Sequence, residues 1–315
     1  MNRKSLITSI SSTYLSNEEA NLIYKEKPWG IILFKRNIDN VLQLRKLTYN
    51  IRKIMNDPKY PILVDEEGGN VSRFSDIIDT KKYSQKHFAD IFSNNKKLGK
   101  ILYQEYLLSI CNILKNSGIN INTIPVLDIL QKKTHKIIGN RSFSNKLKIV
   151  KYFGKLCTSE LKKNKIGSVS KHTPGHGCSN LDTHFNLPVV EKSYKDLLKK
   201  DFSAFKNVNS NFTMTAHIIY KDIDPNNCAT HSKIVINKII RKKIGFKGLI
   251  ISDDISMRAL SKNILYNAQK AILSGCNLAL HCKGNIKESK YLLKNIRKID
   301  NFTKKKTSEF YNYLR

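Results

Sequence analysis

Short apolar runs recur along the chain, and each is followed by a longer stretch whose apolar residues fall three and four apart. The runs predict strands at Gly30–Phe34, Pro61–Val64, Ile121–Leu127, Ser168–Ser170, Phe212–Ala216, Gly248–Ile251 and Asn277–Leu280, with Leu6–Ser9 a weaker eighth. Between them, Val41, Leu44, Leu47, Ile51 and Ile54 mark one helix; Leu98, Ile101, Leu102, Ile110, Ile113 and Leu114 mark another. Ser232 stands where an N-cap would start a helix over Ile234–Ile244. Gly118, Gly167, Gly245 and Gly275 follow helical stretches, where a left-handed residue ends a helix.

Strand and helix alternating about eight times predict an α/β fold with a parallel sheet inside a layer of helices. A (β/α)8 TIM-type barrel typically takes about 250 residues, which suits a single domain over residues 1–315. An open doubly wound sheet gives a similar pattern, so closure is a preference. Residues 301–315, polar, basic and aromatic, read as a terminal helix or a frayed end.

Charge changes this picture little. Lys and Arg number 56 against 25 Asp and Glu, a net charge of +31. Most of the excess is lysine scattered in short pieces such as Lys81-Lys82 and Lys162-Lys163, with no arginine-rich arm, zinc module or base-stacking motif. We therefore expect solvated faces and no specific nucleic-acid partner. Six cysteines without a CxxC pair point to reduced thiols in the cytoplasm. No apolar run reaches the ~20 residues of a membrane span, and Leu6-Ile7 is too short for a secretory signal.

The chemistry lies at the strand ends. Ile62-Leu63-Val64 runs into Asp65-Glu66-Glu67-Gly68-Gly69, and Leu249-Ile250-Ile251 into Ser252-Asp253-Asp254. Three further strands end at Asp128, at Lys171-His172 and at His217. In a barrel these five ends converge on the C-terminal face, where catalytic groups sit. Any one of the acids could instead be a helix cap. The segment Lys171–His184 holds three histidines in a Gly/Pro-punctuated loop. His172, His176, Asp182 and His184 could be read as metal ligands, but Pro174 and Gly175 prevent the helical spacing of an HExxH pair, and no metal or cofactor is expected. Asp182 and His184, two apart in an extended loop, point the same way; a carboxylate there can fix the tautomer of the ring and raise its pKa.

The segments VDEEGGNVSRF (Val64–Phe74), IGNRSF (Ile138–Phe143), KHTPGHG…DTH (Lys171–His184), MTAHIIY (Met214–Tyr220) and GFKGLIISDDISM (Gly245–Met257) resemble glycoside hydrolase family 3. The resemblance is narrower to the bacterial cytosolic β-N-acetylglucosaminidases of peptidoglycan recycling, and runs from about Trp29 to Cys276. Glu66, Thr173 and Thr183 stand where the family commonly has Gln, Phe and Ser. The likeness implies a retaining mechanism with Asp253 as nucleophile and the Asp182–His184 pair as acid/base. It further implies that Asp65, Arg73, Arg141, Lys171 and His172 hold sugar hydroxyls. Lys171 and Arg141 are the cations expected to keep Asp253 ionised. His217 is expected to sit behind the site, Asp254 to be structural, and His176 to shape its loop. The expected partner is a small carbohydrate of the N-acetylglucosaminyl-anhydromuropeptide type, acted on by a monomer. A phosphorylase or β-glucosidase of the same family is the alternative chemistry, and a non-catalytic polyanion-binding protein the alternative class.

Overall fold

The computed structural model describes residues 2–132, 134–136, 138–179, 187–260 and 262–315. In chain order the elements are β1 (Lys4–Thr8), α1 (Asn17–Glu26), β2 (Pro28–Leu33), α2 (Val41–Met55), β3 (Ile62–Val64), α3 (Gln85–Asn94), α4 (Lys96–Asn116), β4 (Ile121–Asn122) and α5 (Leu147–Lys163). There follow β5 (Gly167–Thr173), β6 (Val189–Val190), α6 (Tyr194–Lys199), β7 (Phe212–Thr215), β8 (Ile219–Tyr220), a π-helix (Val235–Ile244), β9 (Leu249–Asp254), α7 (Ile264–Ser274), β10 (Leu278–Leu280), α8 (Ile286–Asn295) and α9 (Asn301–Tyr313).

Eight strands close into a parallel barrel in the order β1-β10-β9-β7-β5-β4-β3-β2, while β6 and β8 form a separate pair. Closure is decided at β1, which pairs in parallel with both β10 and β2, so the open doubly wound alternative does not apply. Every second strand residue faces inward: Ile7, Ile32, Leu63, Val169, Met214 and Ile251 belong to one buried cluster inside the barrel. A second, larger cluster lies between barrel and helices, with Leu44, Leu47 and Ile51 of α2 in it.

All eight expected strands form, with shifted limits. β4 ends after Asn122, far short of Leu127. Pro125 has no amide hydrogen to give a ladder, and pairing resumes only as a single bridge between Val126 and Lys171. β9 instead runs past Ile251, so that Asp253 and Asp254 are its last two residues. One helix-end reading needs correction. Gly167 begins β5 rather than capping α5; a Cβ there would lie 2.8 Å from the Phe310 ring, and Lys165 takes the left-handed turn at φ 58°. In α4 the first turns bury Gly99 and Tyr103, leaving Leu98, Ile101 and Leu102 exposed. Gly99 sets that phase, because α3 packs so closely that a Cβ would sit 2.4 Å from the Phe92 nitrogen. Ser232 does cap, its hydroxyl accepting from the Val235 amide at 3.0 Å, although the helix that follows is of π type.

The tail is ordered as α9 and closes the N-terminal end of the barrel. The Trp29 indole donates to Thr307 Oγ1 at 2.9 Å, and Phe310 meets Phe212 edge-on at 5.0 Å. With that end filled, the C-terminal mouth is left for chemistry.

Candidate active site

The mouth holds a cavity of about 490 Å³ lined by Asp65, Arg73, Arg141, Lys171, His172 and Asp253, together with apolar side chains such as Phe34 and Met257. Six residues singled out from the sequence therefore meet in one place. A wider cleft of about 820 Å³ opens elsewhere, with Lys132, Lys146 and Lys200 among its lining, but it contains none of these six. Strand order gives the cavity its width: β3, which leads to Asp65, and β9, which carries Asp253, stand four strands apart in an eight-strand ring and so face each other across it.

Lys171 is the centre of the polar wall. It points inward from β5 and is 1% exposed. Its Nζ lies 2.6 Å from Glu67 Oε1 and 2.9 Å from Thr123 Oγ1, and it also pairs with Asp65 Oδ1. A buried ammonium group needs such partners, since desolvation of an unpaired charge costs several kcal/mol. Arg141 grips Glu67 with two bonds, Nε to Oε2 at 2.7 Å and Nη2 to Oε1 at 2.9 Å. Arg73 Nη2 reaches Asp65 Oδ2 at 3.1 Å, and its guanidinium lies over the Phe34 ring. Burial pushes both acids up, but the cations outweigh it. Lys171 and Arg73 hold Asp65 far below the usual carboxylate range, and Arg141 and Lys171 hold Glu67 below it.

His172 is oriented from behind. Its Nδ1 lies 2.7 Å from Asp128 Oδ2, an acceptor, so the proton sits on Nδ1 and Nε2 can accept from Arg141 Nη2 at 3.3 Å. Asp128 also takes the His176 amide at 2.6 Å, which ties the following loop to the same carboxylate. Burial raises the Asp128 carboxyl, yet His172 and His176 bring it below its ordinary value. His176 is itself pushed down to about 4 by burial and by His172, which leaves it neutral near pH 7.

Strand alternation separates the two acids of β9. Asp253 lines the cavity and accepts the Asp254 amide on Oδ1 at 2.8 Å. The Asp254 carboxylate turns the other way, to the Ser256 amide at 3.0 Å and the Cys282 amide at 3.3 Å, holding the loops that follow β9 and β10. Burial favours the neutral form of Asp253, but His217, His172, the Asp254 amide and Lys171 prevail and lower it, which leaves the carboxylate ionised at neutral pH. Of the two cations expected near Asp253, Lys171 is among the groups that lower it, and Arg141 pairs with Glu67 in the same cavity.

Asp182 and His184 lie outside the described residues. The sequence reading gave no role to Glu67, Thr123 or the partnership of Asp128 with His172. A signal existed for Glu67: an acid before Gly-Gly, at the end of a buried strand, needs a cation or hydrogen bonds once it is buried. Nothing in the sequence marked Thr123. Among the described residues no group of three or more His, Cys, Asp or Glu is placed to hold a metal ion, and no helix is long and apolar enough to cross a membrane.

An ionised carboxylate facing a cluster of buried cations and acids is an arrangement able to bind hydroxyl groups and to attack an electrophilic carbon. Known proteins carry the same framework. Residues 6–308 match the glycosyl hydrolase family 3 N-terminal domain. A beta-hexosaminidase of Nitrosomonas eutropha is 33% identical over 282 residues, covering 88% of this chain and 80% of that protein. One of Neisseria meningitidis serogroup C is 32% identical, covering 88% and 77%. The crystal structure of NagZ from Neisseria gonorrhoeae in complex with N-trifluoroacetyl-D-glucosamine superposes with a TM-score of 0.88 at 28% identity, over 100% of this chain and 90% of that one. A structure of the gonococcal protein in complex with zinc ion matches with a TM-score of 0.87 at 27% identity, over the same shares. By the extent of these matches the chain belongs to glycosyl hydrolase family 3 and is a glycoside hydrolase.

Proposed function

We propose that the chain is a retaining exo-β-N-acetylglucosaminidase that removes terminal β-linked N-acetylglucosamine. The observation that carries this reading is that Asp253, held ionised, lines the same cavity as Asp65, Arg73, Arg141, Lys171 and His172. The beta-hexosaminidase names of the relatives, and the N-acylglucosamine bound by the gonococcal protein, support the sugar. Asp253 attacks the anomeric carbon as the glycosidic bond breaks, giving a glycosyl ester. Water then attacks that ester and restores the carboxylate with net retention. The Asp182–His184 pair serves as acid to the departing oxygen and then as base to the water. Asp65 and Arg73, across the mouth, hold hydroxyls of the ring, with Lys171, Arg141 and His172 between. The natural aglycone is an anhydromuropeptide, and the setting is peptidoglycan recycling by a cytoplasmic monomer without metal or cofactor.

Turnover of an aryl N-acetyl-β-glucosaminide, set beside the matching glucoside, tests the sugar; the first should exceed the second by at least tenfold. Asp253→Ala should lower turnover by about 10³-fold or more, as loss of a nucleophile does. Near-full turnover in that variant, or a first product seen by NMR as the α-anomer, overturns the mechanism. EDTA should leave the rate unchanged, and a loss restored by zinc would replace this chemistry with a metal-dependent one.

A further inference from the structure

We propose that His217 is a positioning residue for Asp253, holding the peptide that aims the carboxylate into the cavity. The inference rests on the reading of Asp253 as the nucleophile and adds to it the group that fixes its direction.

His217 follows β7, the strand beside β9 in the barrel, and is wholly buried. Its Nε2 lies 3.0 Å from the Asp254 carbonyl, and its Nδ1 lies 2.8 Å from Thr230 Oγ1. A carbonyl oxygen only accepts, so Nε2 carries a proton. The far side of the ring is served by a hydroxyl chain. Thr230 Oγ1 lies 2.8 Å from Thr215 Oγ1 and 3.2 Å from the Ala216 carbonyl. In a neutral ring, Nδ1 accepts from the Thr230 hydroxyl, which in turn accepts from Thr215. In a charged ring, Nδ1 donates to Thr230, whose own proton goes to Ala216. Either way Nε2 donates to Asp254, so the contact does not depend on the charge of the ring.

What that contact fixes is decided by the next bond along. The amide of Asp254 donates to Asp253 Oδ1, and the carbonyl of the same residue takes His217 Nε2 and, at 3.1 Å, the Met257 amide. One residue therefore has its amide on the nucleophile and its carbonyl on a buried ring from the neighbouring strand. The Asp254 side chain is occupied separately, by Ser256 and Cys282. Asp254 is in this way clamped at carbonyl and carboxylate, leaving its amide aimed at Asp253. Burying an imidazole is unfavourable unless both nitrogens are satisfied, and here both are, one by the Asp254 carbonyl at the end of β9 and the other by the Thr230 hydroxyl. His217 is also the first of the groups that lower the Asp253 carboxyl against its burial.

Removal of a positioning group spoils geometry without emptying the sugar pocket, and a displacement of about 1 Å costs on the order of 10²-fold in rate. The test uses His217→Ala, His217→Gln and Thr230→Val. It measures kcat and KM on an aryl N-acetyl-β-glucosaminide with an activated leaving group, the Ki of N-acetylglucosamine, and Tm. His217→Ala should lower kcat/KM by about 30- to 100-fold with Ki within about threefold. His217→Gln, whose amide can reach the Asp254 carbonyl, should recover about tenfold of that loss. Thr230→Val, which deprives Nδ1 of its partner, should lose about three- to tenfold. The proposal is overturned if Ki weakens in step with kcat/KM, if Gln is no better than Ala, or if all three variants keep wild-type rates. Should His217→Ala fail to fold, the Gln and Val variants alone decide between these outcomes. Asp253→Ala, measured in parallel, separates the two levels: turnover retained there removes the nucleophile, whereas an inactive Asp253→Ala beside unaffected His217 variants removes only the positioning.

Discussion

Glu66 shows how much one side chain settles at this site. It is 1% exposed, and its carboxylate takes the Arg73 amide at 2.6 Å, the Phe74 amide at 3.1 Å, the Ser72 hydroxyl at 3.0 Å and the Thr80 hydroxyl at 3.3 Å. Those bonds fix the segment that brings the Arg73 guanidinium to Asp65. Unlike Glu67 it faces no cation, so burial prevails over its hydrogen bonds and pushes its pKa up. A carboxyl raised on folding contributes stability that is complete below its unfolded pKa, about 4.3, and is lost as pH rises through the folded value. Near neutral pH the acid is therefore a burden on stability that an amide would not impose. A Gln at this position can accept the two backbone amides and the Ser72 hydroxyl, while its NH2 donates to Thr80. Glu66→Gln should raise stability at pH 7.5 by roughly 1 kcal/mol, or about 2 °C in Tm, and the gain should shrink toward pH 4. Thermal melts across that range check it, and a destabilised variant at pH 7.5 would show that the charge itself is needed.

Backbone room decides how the segments after β4 and β5 run past each other. Gly177 has no space for a side chain: a Cβ would lie 1.9 Å from the Ile129 carbonyl oxygen. That contact clamps the start of the β5 loop, already held by the His176 amide on Asp128, against the segment after β4. Because the chain leads on to residues 182 and 184, proposed above as the acid/base pair, Gly177→Ala should harm proton transfer more than sugar binding. We expect disaccharide turnover to fall about 10- to 100-fold, with a much smaller loss for a dinitrophenyl leaving group that needs no proton. Equal losses for both substrates would detach this glycine from the acid step. Such steric facts mark the limit of what the chain discloses unfolded. The eight strands were legible because apolar runs and amphipathic stretches alternate, and Asp65, Lys171, His172 and Asp253 because they interrupt buried strands with charge. Closure of the barrel, the phase of α4 set by Gly99 against Phe92, and Thr123 beside Lys171 depend on which elements come to lie side by side. Periodicity along one element carries no information about that.

The whole molecule divides its work between its two ends. The C-terminal mouth holds the charged cavity, and the N-terminal end is stoppered by α9. Phe310, 3% exposed, stacks its ring edge-on against Phe212 at 5.0 Å, and its Cε2 is what a Cβ at Gly167 would strike at 2.8 Å. Around it, Tyr311 shares the Asp57 carboxylate with Arg3, at 2.6 Å from the phenol, so that both chain ends meet over the stopper. The barrel between them is filled by inward side chains such as Leu63, Val169 and Ile251. Damage at one end should therefore reach the other only through global unfolding. Phe310→Ala removes a large buried ring and should lower stability by about 3–5 kcal/mol, seen as a fall in Tm of roughly 6–15 °C if a chain of this size follows the usual scaling. Well below the new Tm, kcat, KM and the Ki of N-acetylglucosamine should stay within about twofold of the parent, since among the described residues the hydrogen bonds of α9 run to groups such as Arg3, Trp29, Asp57 and Asn277 and to no residue lining the cavity. A selective rise in KM in a fully folded variant would mean that packing at the stopper is transmitted through the barrel to Lys171 and Asp253, and that the two ends act as one unit.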